Sequence, residues 1–414
     1  MRRKIVGLGV FLVVCGISYG KSFTLEDILE RAKSSNPQVK IQRLNTQVTK
    51  KEKDKALKNY ILPPITIEDS SEWDDIKKYG LGIKSVDLQI NVFEGGKSIH
   101  GYKTLKSKLA IAENNEVLTE IKAQEEAVAT YFTILNAQKQ KEITDTAIKL
   151  MEKQRSRIWD LYTNGKFVPK SEYLKIEANI ESNKVLNMKN EQEETNTMGI
   201  LARILDYPLN SQIELEDFDP EAYLQIKAHV RDGNKKPVEA TLLGKNEKHN
   251  LDIAEYNVKI AKAELYPTIY TKYEHNFTER DSNGDLRDVN EDRFELGFKW
   301  VFEWGGTLDN VKSKEFAYEQ ARIKYDDQIK GITLEMRNHL TRVKSLYGQS
   351  FVMKKRAELL KENMEIDNMR YENELLSTFD YLNSVNNYRS AQEDYYKSQR
   401  DLVLAVIQYE NLYK

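Results

Sequence analysis

Residues 91–100 read NVFEGGKSIH, and the meaning of that glycine pair decides the fold. As the tail of a phosphate-binding loop, Gly-Gly-Lys-Ser requires a further glycine five positions before Gly96, where the chain has Asn91. A glycine pair also serves where a chain bends sharply between two conformations, because it lacks the Cβ that forbids them. A nucleotide loop predicts one special site; a structural pair can recur. It does recur: INVFEGG at 90–96 has a counterpart in WVFEWGG at 300–306, an offset of 210, and no Lys-Ser follows the second pair. The pairs Gly95-Gly96 and Gly305-Gly306 are therefore read as strand-to-helix junctions.

Two more landmarks repeat at nearly the same distance. YILPPITIE (60–68) resembles ELYPTIYTK (264–272), offset 203 on Pro64 and Pro267, and DLYTNGKFVPKSEYL (160–174) resembles NMRYENELLSTFDYL (368–382), offset 208. Self-similarity at one offset predicts a tandem duplication. The first repeat covers 21–209 and contains an entry helix, two strands and a long helical hairpin. A polar linker covers 210–237, and the second repeat covers 238–414.

Each repeat has the same internal order. Val86, Leu88, Ile90 and Val92 alternate with Asp87, Gln89 and Asn91; Phe294, Leu296, Phe298 and Trp300 alternate with Glu295, Gly297 and Lys299. Period two with one apolar face predicts strands. Long helices are expected after each glycine pair, from Lys97 to about Asn164 and from Thr307 to about Glu372, each about 100 Å long at 1.5 Å per residue. No proline falls between Pro64 and Pro169 or after Pro267 to interrupt them. In the last helix Val385, Tyr388, Gln392, Tyr395, Gln399, Leu402, Val406 and Tyr409 form a seam at alternating three- and four-residue spacing. Between the long helices, Gly165 aligns with Asn373, residue types that favour the left-handed conformation at helix ends. Pro169 then restarts one helix, and Ser377 with Asp380 caps the other. These are helical hairpin tips.

Composition excludes several classes. With 63 basic and 65 acidic side chains there is no basic surplus for nucleic acid. The amino terminus, MRRKIVGLGVFLVVCGISYGKS, has Arg2, Arg3 and Lys4 before an apolar run from Ile5 to Ile17, too short to span a bilayer, and reads as a signal peptide over 1–20. Its removal takes away Cys15, the only cysteine; lipid attachment at Cys15 is disfavoured by Val14 before it. No other segment is apolar enough for a membrane helix, so any membrane crossing is by strands.

The order of these features resembles the TolC-type outer-membrane efflux proteins over essentially the whole mature chain. The resemblance rests on Asn36-Pro37 in SSNPQV, the proline before each first strand, the junctions at 93–96 and 302–306, and the hairpin tips. It implies an α+β membrane protein: a homotrimer with a 12-stranded outer-membrane barrel on a periplasmic tunnel of long helical hairpins, docking a periplasmic adaptor and an inner-membrane pump. The chain departs from the family in having Asn373 where the second tip has a glycine, and in a shortened entry helix before Pro267.

Strand arithmetic points the same way. Four strands cannot close a barrel, and an open edge is not viable in hydrocarbon. Two chains supply eight strands, which side chains fill; three supply twelve, with room for water. The expected lipid face carries Val86, Leu88, Ile90, Ile269, Tyr273, Phe294, Leu296 and Phe298, with Trp73, Tyr79, Tyr270, Trp300 and Trp304 as interface aromatics. The five histidines are scattered with no metal-binding spacing and no nucleophile elbow occurs, so no catalytic, cofactor or metal site is expected. The tips are the expected periplasmic entrance and adaptor contact, with Gly165, Lys166 and Glu172 in one repeat and Asp367, Glu372, Asn373, Glu374 and Asp380 in the other. The function expected is a passive conduit for efflux or type I secretion, located in the outer membrane. The competing classes are an adaptor-like coiled-coil protein without a barrel, which would have one hairpin, and an enzyme with a coiled-coil insert.

Overall fold

The computed structural model describes residues 22–62, 64–68, 84–165, 168–211, 213–233, 236–280 and 286–414. The expected signal peptide with Cys15, and the residues Trp73, Tyr79 and Lys166, lie outside them.

The entry is two helices rather than one. Helix α1 (Leu25–Ser35) opens on a capping box between Thr24 and Asp27. Helix α2 (Pro37–Ile61) starts after Asn36, whose side chain accepts the Gln38 amide at 2.8 Å. The same side chain donates to the Ile204 carbonyl at 3.2 Å, so this one buried residue starts α2 and ties it to a helix 168 residues away. Pro37 sits at the first helical position, where a missing N–H costs nothing.

Strand β1 (Ile65–Glu68) follows α2, and β2 (Ser85–Phe93) leads into α3 (Lys97–Asn164). Helix α4 (Lys170–Ile204) returns beside α3, and a connecting segment carries the short helix α5 (Pro220–Ile226). The second half repeats the order in shorter form: α6 (Leu242–Ala263), β3 (Thr268–Arg280), β4 (Leu286–Lys299), α7 (Gly306–Glu372) and α8 (Thr378–Asn411). The expected long helices are present at 68 and 67 residues, or about 100 Å each.

The four strands form one antiparallel sheet in the order β1-β2-β3-β4. Nearer the strands the helices pack in the order α2, α3, α6, α7; farther away they pack as α4, α3, α8, α7. Since α2 runs into β1, β2 into α3, α6 into β3 and β4 into α7, the helical wall and the strand wall share one order. Elements of the first half lie at one edge of every layer, and α7 or β4 at the other.

Burial is concentrated at two heights. Around the middle of α3, Ile28, Val128, Tyr131, Phe132, Leu201, Leu205 and Val403 form one core. Near the far ends of the hairpins, Met151, Ile176, Ile180, Tyr381 and Leu382 form another. Truncating a fully buried residue such as Ile176 to alanine costs about 2–5 kcal/mol. None of the seam residues on α8 is exposed, and Gln399 is 4% accessible. Helix α5 straps α7 to α8 at mid-height: the Glu221 carboxylate accepts from Lys354 at 2.8 Å and from the Tyr395 hydroxyl, while Tyr347 donates to the Leu224 carbonyl at 3.3 Å. Lys227 completes the strap on Glu410 at 2.8 Å.

Candidate functional site

The sheet has two unlike faces. Directly opposed residues of antiparallel strands point the same way, so the register sorts every side chain. One face carries the rows Ile67–Val86–His275–Asp292, Ile65–Leu88–Tyr273–Phe294, Ile90–Thr271–Leu296 and Ile269–Phe298, with Trp300 just past the end of β4; the one polar row among these pairs His275 with Asp292 at 2.8 Å. Phe294, Leu296 and Phe298 are each more than 70% exposed. The other face carries Asp87–Glu274–Arg293, Gln89–Lys272–Glu295 and Glu68–Ser85–Asn276–Glu291. Lys272 lies 3.0 Å from Asp87 and 2.7 Å from Glu274. All eight residues expected on the apolar face share it.

Two details differ from the sequence reading. A bulge between Asn91 and Phe93 takes Val92 out of the alternation and sets Phe93 in the apolar row with Ile269. Tyr270, expected among the interface aromatics, is on the polar face. It lies in the row of Asn91 and Gly297, and a Cβ on Gly297 would meet its ring at 2.6 Å. The glycine makes room for the tyrosine across the strand pair.

The junctions answer the question of the glycine pairs. Gly95 and Gly96 have φ of +59° and +86°, and Gly96 immediately precedes α3. In the second half the left-handed residues are Trp304 (+40°) and Gly305 (+104°), and Gly306 is the first residue of α7. The equivalent positions are therefore Gly96 and Gly305, one residue away from the alignment of the glycine pairs. Lys97, the lysine that imitates a phosphate loop, pairs with Glu264 at the end of α6 at 3.0 Å.

At the tips, Gly165 ends α3 with φ −129° and Asn373 ends α7 with φ −94°, so neither takes the expected left-handed conformation. Glu374 takes it instead, at φ +61°. Its amide donates to the Tyr371 carbonyl at 3.1 Å and the Leu375 amide to Arg370 at 2.8 Å, the paired bonds of a Schellman ending. Ser377 caps α8 through the Asp380 amide at 3.1 Å and donates to its carboxylate at 2.7 Å.

The two tips are bolted together. The Arg157 guanidinium donates to the Glu372 carbonyl at 2.5 Å, and Lys153 lies 3.8 Å from the Glu372 carboxylate. The rings of Tyr371 and Tyr381 stack at 4.5 Å, and the Tyr371 hydroxyl is 3.1 Å from that of Thr378. Hydrogen bonding from Lys175, and to a lesser degree from Thr378, holds the Glu172 carboxyl below its ordinary range; burial pushes the Tyr381 phenol up. Asp367 accepts from Asn363 at 3.0 Å, and the Asn373 side chain returns to the Met369 carbonyl at 2.8 Å. Between the tips is a cleft of about 410 Å³, rimmed by Arg157, Glu172, Lys175 and Glu374 over Ile158 and Leu376. Sequence reading missed Arg157 and Lys153, which sit in the last turns of α3 and carry no signal of a partner some 215 residues away.

Among the described residues no group of side chains is arranged to hold a metal ion, and no helix is long and apolar enough to cross a membrane.

Comparison with known proteins fits this architecture. Residues 245–413, from α6 to the end of α8, match the family model for outer membrane efflux protein. No curated protein sequence matches the chain. Among solved structures, the Campylobacter jejuni CmeC outer membrane channel superposes with TM-score 0.75 at 16% identity, over 94% of this chain and 85% of that one. CusC, described in terms of folding and transmembrane channel formation, gives 0.79 at 14% identity over 94% and 91%. VceC, an outer membrane protein of Vibrio cholerae, gives 0.74 at 15% identity over 94% and 96%. Residues 245–413 thus match the outer membrane efflux protein family model, and the chain over 94% of its length shares the fold of these solved outer-membrane channels.

Proposed function

We propose that the protein is the conduit subunit of an efflux or type I secretion assembly: a homotrimer whose twelve strands close a barrel in the outer membrane and whose helices form a tunnel in the periplasm. The observation that carries this reading is the continuity of helical wall and strand wall in one order, with free edges on the same two sides. Asp87, Lys272, Glu274 and Arg293 lie at the same height as Leu88, Tyr273 and Phe294 on the opposite face. A lysine or arginine facing lipid at mid-membrane costs about 2–4 kcal/mol. The charged face therefore takes water and the apolar face takes lipid, with Trp300 and Trp304 at its helical end. Edges β1 and β4 require partners in hydrocarbon, and three copies supply them while leaving an aqueous lumen. Exposed apolar residues support the same closure on the helical edges: Ile41, Leu44 and Val48 on α2, and Phe316, Ile323 and Phe351 on α7.

On this reading the chain is a duplication, with repeats at 21–209 and 238–414 joined by 210–237, and a signal peptide at 1–20. The tips, with Gly165, Glu172, Asp367, Glu372, Asn373, Glu374 and Asp380, and with Lys166 beside them, form the periplasmic entrance. They contact the adaptor that links the channel to an inner-membrane pump. The adaptor-like alternative has no use for a two-faced four-stranded sheet. The chemistry is passive: positioning and electrostatics along a path, without bond making.

The test is mass measurement of the detergent-extracted protein together with membrane fractionation. A trimer recovered from the outer membrane, with heat-dependent gel migration, is expected. A stable monomer overturns the proposal.

A further inference from the structure

Resting on that conduit reading, we infer that the barrel wall carries a graded axial charge that makes its outer end prefer cations and makes conduction asymmetric. The gradient is read row by row along the polar face, starting where the strands meet the helices. The first row has Lys299 as its one charge, beside Thr268. The next, with Asn91, Tyr270 and Gly297, has none. In the third, Lys272 balances Glu295. In the fourth, Asp87 and Glu274 outweigh Arg293 by one charge. The fifth has Glu68 and Glu291 and no cation. Over these five rows, which stop at Glu291 short of the outer ends of β3 and β4, each chain therefore runs from one positive charge through neutrality to two negative charges. In a trimer every row becomes a ring with three times that charge.

These rings are spread along the wall. From Lys299 to Glu291 is about 27 Å of strand at 3.4 Å per residue, against a screening length of about 8 Å at physiological salt. The two ends are thus electrically distinct, and neither cancels the other. Rings of side-chain charge set ion preference where a pore passes through them. The internal pairs use up the cations of these rows: Lys272 is held between Asp87 and Glu274 and Arg293 lies 3.6 Å from Glu291, so Lys272 and Arg293 stand against Asp87, Glu274, Glu295, Glu68 and Glu291 and the last three rows keep a negative excess. A cationic solute leaving through the barrel moves toward increasingly favourable charge, and an anionic solute moves against it. This selectivity element is separate from the tips, which lie at the far end of the helices.

The experiment is planar-bilayer recording from the purified full-length trimer in a KCl gradient. The wild type is expected to favour K⁺ over Cl⁻, with a current–voltage curve that depends on the direction of insertion. The double variant Glu68→Gln, Glu291→Gln is expected to lower the permeability ratio about two-fold and flatten the asymmetry; Lys299→Gln is expected to raise the ratio. The wild-type preference should fade at 1 M salt, where screening shortens to about 3 Å. Opposite responses at the two ends distinguish a charge profile from general damage, and unboiled gels check that each variant assembles. A conducting trimer whose ratio is unmoved by both strand variants, or moved only by Glu374→Gln with Asp380→Asn at the tip, overturns this inference alone. A trimer that conducts nothing overturns the conduit reading and this inference with it.

Discussion

The two strand-to-helix junctions make the same turn for different reasons. At the first, a Cβ on Gly95 would sit 2.7 Å from the Ala263 carbonyl oxygen and 3.1 Å from the Tyr266 ring, on a residue that already needs φ of +59°. Packing and backbone conformation both demand glycine there. At the second, nothing lies within 4 Å of a Cβ on Gly305, so only its φ of +104° demands glycine. Trp304, the counterpart of Gly95, holds a left-handed conformation with its side chain 92% exposed. The first junction is wedged against the end of α6; the second stands free at the edge of the chain. A repeated motif can thus keep its geometry after losing half of its reasons.

Substitutions sharpen this contrast. Gly95→Val should be the most damaging, combining clash with strain of about 1–3 kcal/mol, and should sharply reduce assembled trimer on unboiled gels. Gly305→Ala should cost less, about 1–2 kcal/mol from conformation alone, read as a lower thermal midpoint with the trimer retained. Equal loss at the two sites would break the comparison. Glu374→Gly, which places glycine where the backbone is left-handed, should stabilise by up to about 1 kcal/mol in thermal melts. Gly306→Ala should be nearly silent, as should Lys97→Ala, which removes only a half-exposed ion pair worth under about 1 kcal/mol.

The smallest effect is expected from pH at the tip. The Glu172 carboxyl is held below its ordinary 4.5 by Lys175 and Thr378. A depressed folded-state value gives stability that is present above the unfolded value and is lost as pH falls through the folded one. Acidification below 4.5 should therefore loosen the joint between the tips, measured as faster amide exchange near Thr378, and Glu172→Gln should abolish that acid response.

Much of this was legible because periodicity and proline placement are local signals. The ends of α3 and α7 fall within a residue of the sequence reading, and the alternation in β2 and β4 assigned the apolar face. What was not legible depends on partners distant in sequence. Asn36 could be read as a cap for α2 but not as a donor to Ile204, and the bulge at Val92 exists only against β3. Tyr270 looked like an interface aromatic until its row-mate proved to be Gly297. At the tip, alignment favoured glycine and asparagine, but the helix end is settled by which carbonyls remain to be capped, and that selected Glu374.

The free edges of β1 and β4, together with the bare Phe294, Leu296 and Phe298, bear on how the molecule comes into being. Strand edges and apolar faces left open in water template association with whatever arrives first. For the proposed trimer, productive closure needs three copies at once, so its yield rises with a higher power of concentration than does a chance pairing of two. Dilution and chaperoning therefore act in opposite directions here: one starves the ring, the other keeps its open segments apart until the third copy is present.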